Sequence, residues 1–213
     1  SDNSSTQIYT LGKYHKIKIQ EAIGARDLAG FVEVMKNSPF ASSLNIGYDQ
    51  YESESDLMSL EIALDLGYYS RLQEAFDSLG PFDKSGAKRL IGMHYDMMNI
   101  TWMLRFREHY KFTPEQIFQY ILPYGWKFKP PVFWKIIGSS NIIEALQERY
   151  MHPYDQVLAS AEPIDGNPIL GAEIALMKFF YQESIKSLRG YPLQIAPIFG
   201  FFVMKEMEIR DIT

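Results

Sequence analysis

The chain has 213 residues, 46% hydrophobic and 22% charged, with 26 Asp and Glu against 21 Lys and Arg for a net charge of −5. That is globular composition with enough bulky material (14 Phe, 14 Tyr, 3 Trp) for a sizeable core, and its mild acidity without a basic block makes it a poor candidate for general nucleic-acid binding, a local basic patch aside. The absence of cysteine excludes disulfides and thiolate chemistry and suits a reducing compartment, and no uninterrupted apolar run reaches the roughly 18–20 residues of a membrane span.

The opening "SDNSST" has neither a Met nor a signal-peptide pattern, and reads as a cut edge of a chain that begins earlier. Almost every later segment carries helical rather than alternating period. Over 54–80, Leu57, Leu60, Leu64, Tyr68, Leu72, Ala75 and Leu79 form one stripe that Gly80-Pro81 stops. A longer helix is expected from about Ser85 to Tyr110, apolar on nearly every side and therefore buried. Thr113, Pro114 and Gln116 spell a capping box at the start of 113–122. Pro130-Pro131 marks a break, and 140–150 reads as a short helix. Asn167-Pro168 opens another helix to about Leu188, with the stripe Ile169, Ala172, Leu176, Phe180 and Ser184. The last helix is expected over 200–212. The apolar "APIFGFF" (196–202) reads more readily as core than as a binding face.

A weak internal repeat runs through these elements. Residues 27–44 and 141–158 are equal in length, share a proline followed by an aromatic (Pro39-Phe40, Pro153-Tyr154) and end in Leu. "LEIALDLGYY" (60–69) faces "AEIALMKFFY" (172–181), and "DMMNITWML" (96–104) faces "KEMEIRDIT" (205–213). The three matches keep one order at an offset of about 110 residues. The reading is all-α: two helical-bundle lobes over 25–110 and 138–213, a bridge over 111–137 and an N-terminal segment over 1–24.

Few residues are arranged for chemistry. His15, His94, His109 and His152 form no i, i+3 or i, i+4 pair that would seat a metal. There is no Gly-x-Ser-x-Gly elbow and no Walker loop, so no catalytic residue, cofactor, metal or small-molecule substrate is assigned. Asp96 and Asn99, one turn apart in the apolar helix, admit two readings. As one arm of a magnesium site in an all-helical prenyl-type synthase they would need further carboxylates close by, which the spacing does not compel. As polar pins between packed segments they need only hydrogen-bond partners. Their repeat counterparts are Lys205 and Glu208, which keep polarity and change the chemistry. Gly92 shares their face, where a neighbouring helix could come close. Glu61 and Glu173, equivalent in the repeat, read as partnered structural carboxylates in apolar helices, because unpaired burial is costly.

Residues 95–128, "YDMMNITWMLRFREHYKFTPEQIFQYILPYGWKF", resemble the middle signature of the C-subunit family of V-type/A-type ATPases, relatives of the eukaryotic V-ATPase d subunits. Asp96, Asn99, Ile100, Arg105, Pro114, Glu115 and Gly125 occupy the places of that signature. Lys205, Glu206, Glu208, Ile209 and Arg210 resemble the family's closing motif, which is cut short here. The resemblance spans most of 25–212. It implies a funnel-shaped fold of three similar lobes, two of them present and an N-terminal one missing, with residues 1–24 a remnant of it. It also implies a non-catalytic central-stalk connector between rotor axle subunits and the membrane proteolipid ring, coupling ATP turnover to proton or sodium transport. Such a protein would be cytoplasmic, attached to the membrane only through the complex. A prenyl-type synthase and a generic helical adaptor are the alternatives. The residues marked as a structural motif are Asp96, Asn99, Arg105, Glu61, Glu173, Lys205, Glu208 and Arg210.

Overall fold

The computed structural model describes residues 18–212, the side chains of 210–212 excepted. The chain is all-α: the described residues form helices joined by short turns, without a β-strand among them. They fall into two compact units divided between Leu72 and Gln73.

The first unit holds α1 (Ile19–Ile23), α2 (Leu28–Val34), a 3-10 turn (Met35–Asn37), α3 (Ala41–Glu54) and most of α4 (Met58–Asp77). Asp27 caps α2 by accepting from the Gly30 N–H at 2.8 Å. The helix expected over 54–80 begins late, because Ser55 at φ 58° ends α3 in the left-handed region and α4 restarts at Met58. Its predicted stripe is also only partly inside. Leu60 is buried, but Leu57 lies ahead of the helix and is exposed, as is Tyr68, while Ile62 and Tyr69 are buried on another side. A single-face period does not register a helix covered on two sides. The core joins Val32, Met35, Leu44 and Leu60, with Phe31, Phe40 and Leu64 against it. α3 and α4 cross at Gly47, where an added Cβ would lie 2.7 Å from the Leu60 Cα. Arg71 donates to the Pro39 carbonyl at 2.6 Å with its guanidinium over the Phe40 ring.

The second unit is built on α5 (Pro81–Glu108), which starts four residues ahead of the expected helix because Pro81 fits the first helical position. Short helices follow: α6 (Pro114–Phe118), α7 (Pro130–Ile137), α8 (Ile142–Leu146) and, after a 3-10 turn at Arg149–Met151, α9 (Tyr154–Ala159). Then come two long ones, α10 (Pro168–Ser187) and α11 (Ile195–Ile212). The Thr113/Gln116 capping box is formed, and Asn141 and Asn167 cap α8 and α10. α5, α10 and α11 pack on one another, and α6 to α9 continue pairwise to α10. The α10 stripe Ile169, Ala172, Leu176, Phe180 and Ser184 is buried. α11 begins at Ile195 rather than Gly200. Pro197 falls in its first turn, where a missing N–H breaks no helical bond, and the Ile195 N–H finds Asp83 Oδ1 at 2.9 Å. The 196–202 stretch is divided: Ala196 and Gly200 face inward, while Ile198, Phe201 and Phe202 are exposed.

Candidate functional site

The polar residues of α5 meet a loop. Between α6 and α7 the chain runs across the helix and is tied to α5 by hydrogen bonds at three successive turns. Asn99 pairs with one residue in both directions: its Nδ2 donates to the Leu122 carbonyl at 2.9 Å and its Oδ1 accepts from the Leu122 N–H at 2.8 Å. One turn earlier, Asp96 accepts from the Lys127 N–H at 2.7 Å, the Phe128 N–H at 3.0 Å and the Tyr154 hydroxyl at 2.9 Å. One turn earlier again, the Gly92 carbonyl accepts from the Trp126 N–H at 3.1 Å. Residues 92, 96 and 99 lie on one face of a helix, so an extended segment can follow that face.

Two glycines permit the approach. A Cβ on Gly92 would lie 3.0 Å from the Trp126 backbone N, and one on Gly125 would lie 2.1 Å from Asp96 Oδ1 and 3.0 Å from the Phe128 carbonyl. What comes close at Gly92 is thus a loop backbone and not the neighbouring helix that the sequence suggests. Two cations lie over the Trp126 ring, the Arg89 guanidinium 5.0 Å and the Lys127 ammonium 4.6 Å from its centre.

Asp96 is 0% exposed. Burial pushes its carboxyl up to about 6, against the pull of the two backbone N–H groups, the Tyr154 hydroxyl and, more weakly, the Lys129 charge. Burial and the adjacent Asp96 charge push the Tyr154 hydroxyl well above its ordinary range, so it stays a donor. Three donors converge on this carboxylate, and none of them is a reacting group. Among the described residues no three His, Asp or Glu side chains gather where a metal ion could sit.

About two and a half turns beyond Asp96 along α5, Arg105 donates to Glu173 of α10 through Nε and Nη2, both at 2.6 Å. Glu173 is buried while the Arg105 side chain is half exposed. The bidentate hydrogen bond to Glu173 raises Arg105 further above its already high value. The structure therefore brings Asp96 and Asn99 to one loop and joins Arg105 to Glu173. Glu61 is exposed and makes no side-chain hydrogen bond among the described residues, because it lies on a side of α4 that nothing described covers. Lys205 and Glu208 are exposed and pair with each other at 2.6 Å, unlike the buried Asp96 and Asn99. The Arg210 side chain lies outside the described residues. Tyr154 and Gly125 complete the brace. The sequence marks the first only as half of a repeated Pro-aromatic pair and the second only as a signature glycine, without the contact that joins them to Asp96.

A long central helix that straps a following loop through buried polar side chains defines an all-α structural module. A family model described as ATP synthase (C/AC39) subunit matches residues 2–213, and the chain belongs to that family. Among similar proteins, the C subunit of the A-type ATP synthase of Methanosphaera stadtmanae is 25% identical over 92% of this chain and 50% of its own length. That of Pyrococcus abyssi is 28% identical over 75% of this chain and 43% of its own. That of Halobacterium salinarum is 22% identical over 100% of this chain and 60% of its own. The chain spans about half the length of the curated relatives it matches. No solved structure gives a significant match.

Proposed function

We propose that this chain is part of the central-stalk connector of a V/A-type ATPase, a non-catalytic subunit that joins the rotor axle to the membrane proteolipid ring and so couples ATP turnover to proton or sodium transport. The family match over residues 2–213 carries the reading. A part that transmits torque needs stiff packing, and the α5 brace supplies a means: rigid hydrogen bonds from a helix to a loop that would otherwise be held by apolar contact alone. Asp96, Asn99, Arg105 and Glu173 act in it as structural pins. The lone pairs of Asp96 are directed to backbone N–H groups and a tyrosine hydroxyl, which leaves it poorly disposed to ligate magnesium in a prenyl-type synthase.

The fold reading adds a repeat of lobes over 25–110 and 138–213, bridged by 111–137. The order short helix, 3-10 turn, Pro-aromatic, helix, two long helices occurs from α2 to α5 and again from α8 to α11, which supports it. In an experimental structure of the natural protein the two stretches should superpose with Pro39 on Pro153 and Glu61 on Glu173. The protein works at the cytoplasmic side of the membrane, attached through its partners; among the described residues no helix is long and apolar enough to cross a bilayer. Pull-downs with the full-length natural protein test the function: axle subunits and the proteolipid ring should be retained, and capture of neither would refute the reading.

A further inference from the structure

We propose that the outer face of α10 is a docking groove for one amphipathic α-helix of a partner protein, oriented by an acidic residue set against Lys178 and a basic residue set against Glu162. Two open cavities lie side by side across this helix, of about 480 and about 630 Å³. Ile174, Lys178 and Gln182 line both, so the two form one trough. One part is walled by the turn after α9, the other by Met207 and Glu208 of α11. The floor follows one side of α10 from Gly171 to Ile185, a length of about 21 Å at 1.5 Å per residue. That accepts roughly four turns of a second helix.

The floor is apolar where a helix would press on it, through Ile174, Met177, Tyr181 and Ile185. These fall at the i, i+3, i+7 and i+11 spacing that receives the anchors of a helix laid in a groove. Charge selects the occupant. Glu208 on the far wall is neutralised by Lys205 at 2.6 Å. Lys178 in the middle of the floor and Glu162 at the α9 end form no ion pair among the described residues. Gly171 packs against the Glu162 backbone, where an added Cβ would lie 2.0 Å from the Glu162 carbonyl oxygen. Glu162 and Lys178 are therefore separated by about two turns of α10, or roughly 10 Å. A partner helix with an acid and a base about seven residues apart beside its apolar stripe meets both charges in one direction only.

The test uses synthetic helical peptides of about 18 residues, with leucines at the stripe positions, titrated into the 213-residue chain and followed by fluorescence anisotropy. One peptide carries Glu opposite Lys178 and Lys opposite Glu162; a control has the two exchanged. The first should saturate at micromolar concentration and the control should bind at least about tenfold more weakly. Lys178→Glu, an exposed change that leaves the core intact, should weaken the first peptide about tenfold and strengthen the control. Absence of saturable binding by either peptide, or an equal effect of Lys178→Glu on both, overturns the proposal. So does sedimentation showing a dimer that Ile174→Asp dissociates, since a second copy would then be the occupant.

Discussion

Replacing Asp96 by alanine removes one carboxylate and leaves three buried donors, the Lys127 and Phe128 N–H groups and the Tyr154 hydroxyl, without an acceptor. Each orphaned donor costs about 2 kcal/mol, roughly 6 kcal/mol together. Against this stands the relief of a buried charge. The carboxyl is raised from 3.8 to about 6, so its ionised form is disfavoured by about 3 kcal/mol at pH 7. The net loss for Asp96→Ala is then about 3 kcal/mol at pH 7, or a fall in Tm of very roughly 6–12 °C for a chain of this size. The pH dependence has a definite sign. The folded value lies above the unfolded one, so between about pH 4 and pH 6 the folded protein binds more protons than the unfolded chain. Asp96 therefore stabilises the fold more as pH falls through 6 and its contribution is lowest above that value. Urea denaturation followed by circular dichroism at pH 7 and pH 5 should show the gap between wild type and Asp96→Ala widen by about 1 kcal/mol at the lower pH. A gap that stays constant or narrows on acidification would refute the buried, raised carboxylate as the centre of the brace.

Asn99→Ala should cost about 4 kcal/mol by orphaning both backbone groups of Leu122, and Asn99→Asp should retain only the bond from the Leu122 N–H; chemical denaturation distinguishes the two. Gly125→Ala, whose Cβ would stand 2.1 Å from Asp96 Oδ1 and 3.0 Å from the Phe128 carbonyl, should lower stability by about 2 kcal/mol, and by less in an Asp96→Ala background where only the second contact remains. A double-mutant cycle of Arg105→Met with Glu173→Gln should give a coupling of about 1 kcal/mol, discounted for the half-exposed arginine and reduced in high salt; a coupling near zero would make the bidentate pair incidental to stability.

The brace shows where sequence reading stops. A carboxylate and an amide one turn apart inside an apolar helix signal that polar partners are brought to them, since burial without partners is too costly to persist. Which partners could not follow from spacing. Lys127, Phe128 and Tyr154 lie 31 to 58 residues away along the chain, and two of the three donors are main-chain groups that every residue type carries. Arg105 and Glu173 each stand out separately, yet 68 residues separate them, and only the packing of α10 on α5 makes them a pair. Glu61 shows the converse: identity with Glu173 in an apolar context suggests burial, but exposure depends on what covers that side of α4.

By itself the sequence determined the class of fold and most of its punctuation. Hydrophobic period, the Thr113–Gln116 box, Asn167-Pro168 and Gly80-Pro81 act within a few residues, so local physics settles them. The order of motifs along the chain likewise points to the ATP synthase (C/AC39) subunit family. The tertiary structure alone decided the rest: that the strap over α5 is a loop, that Gly92 and Gly125 are the places where it touches, and that two cavities adjoin along α10 among the described residues. These depend on distances between residues remote in the chain, and side-chain period carries no record of them.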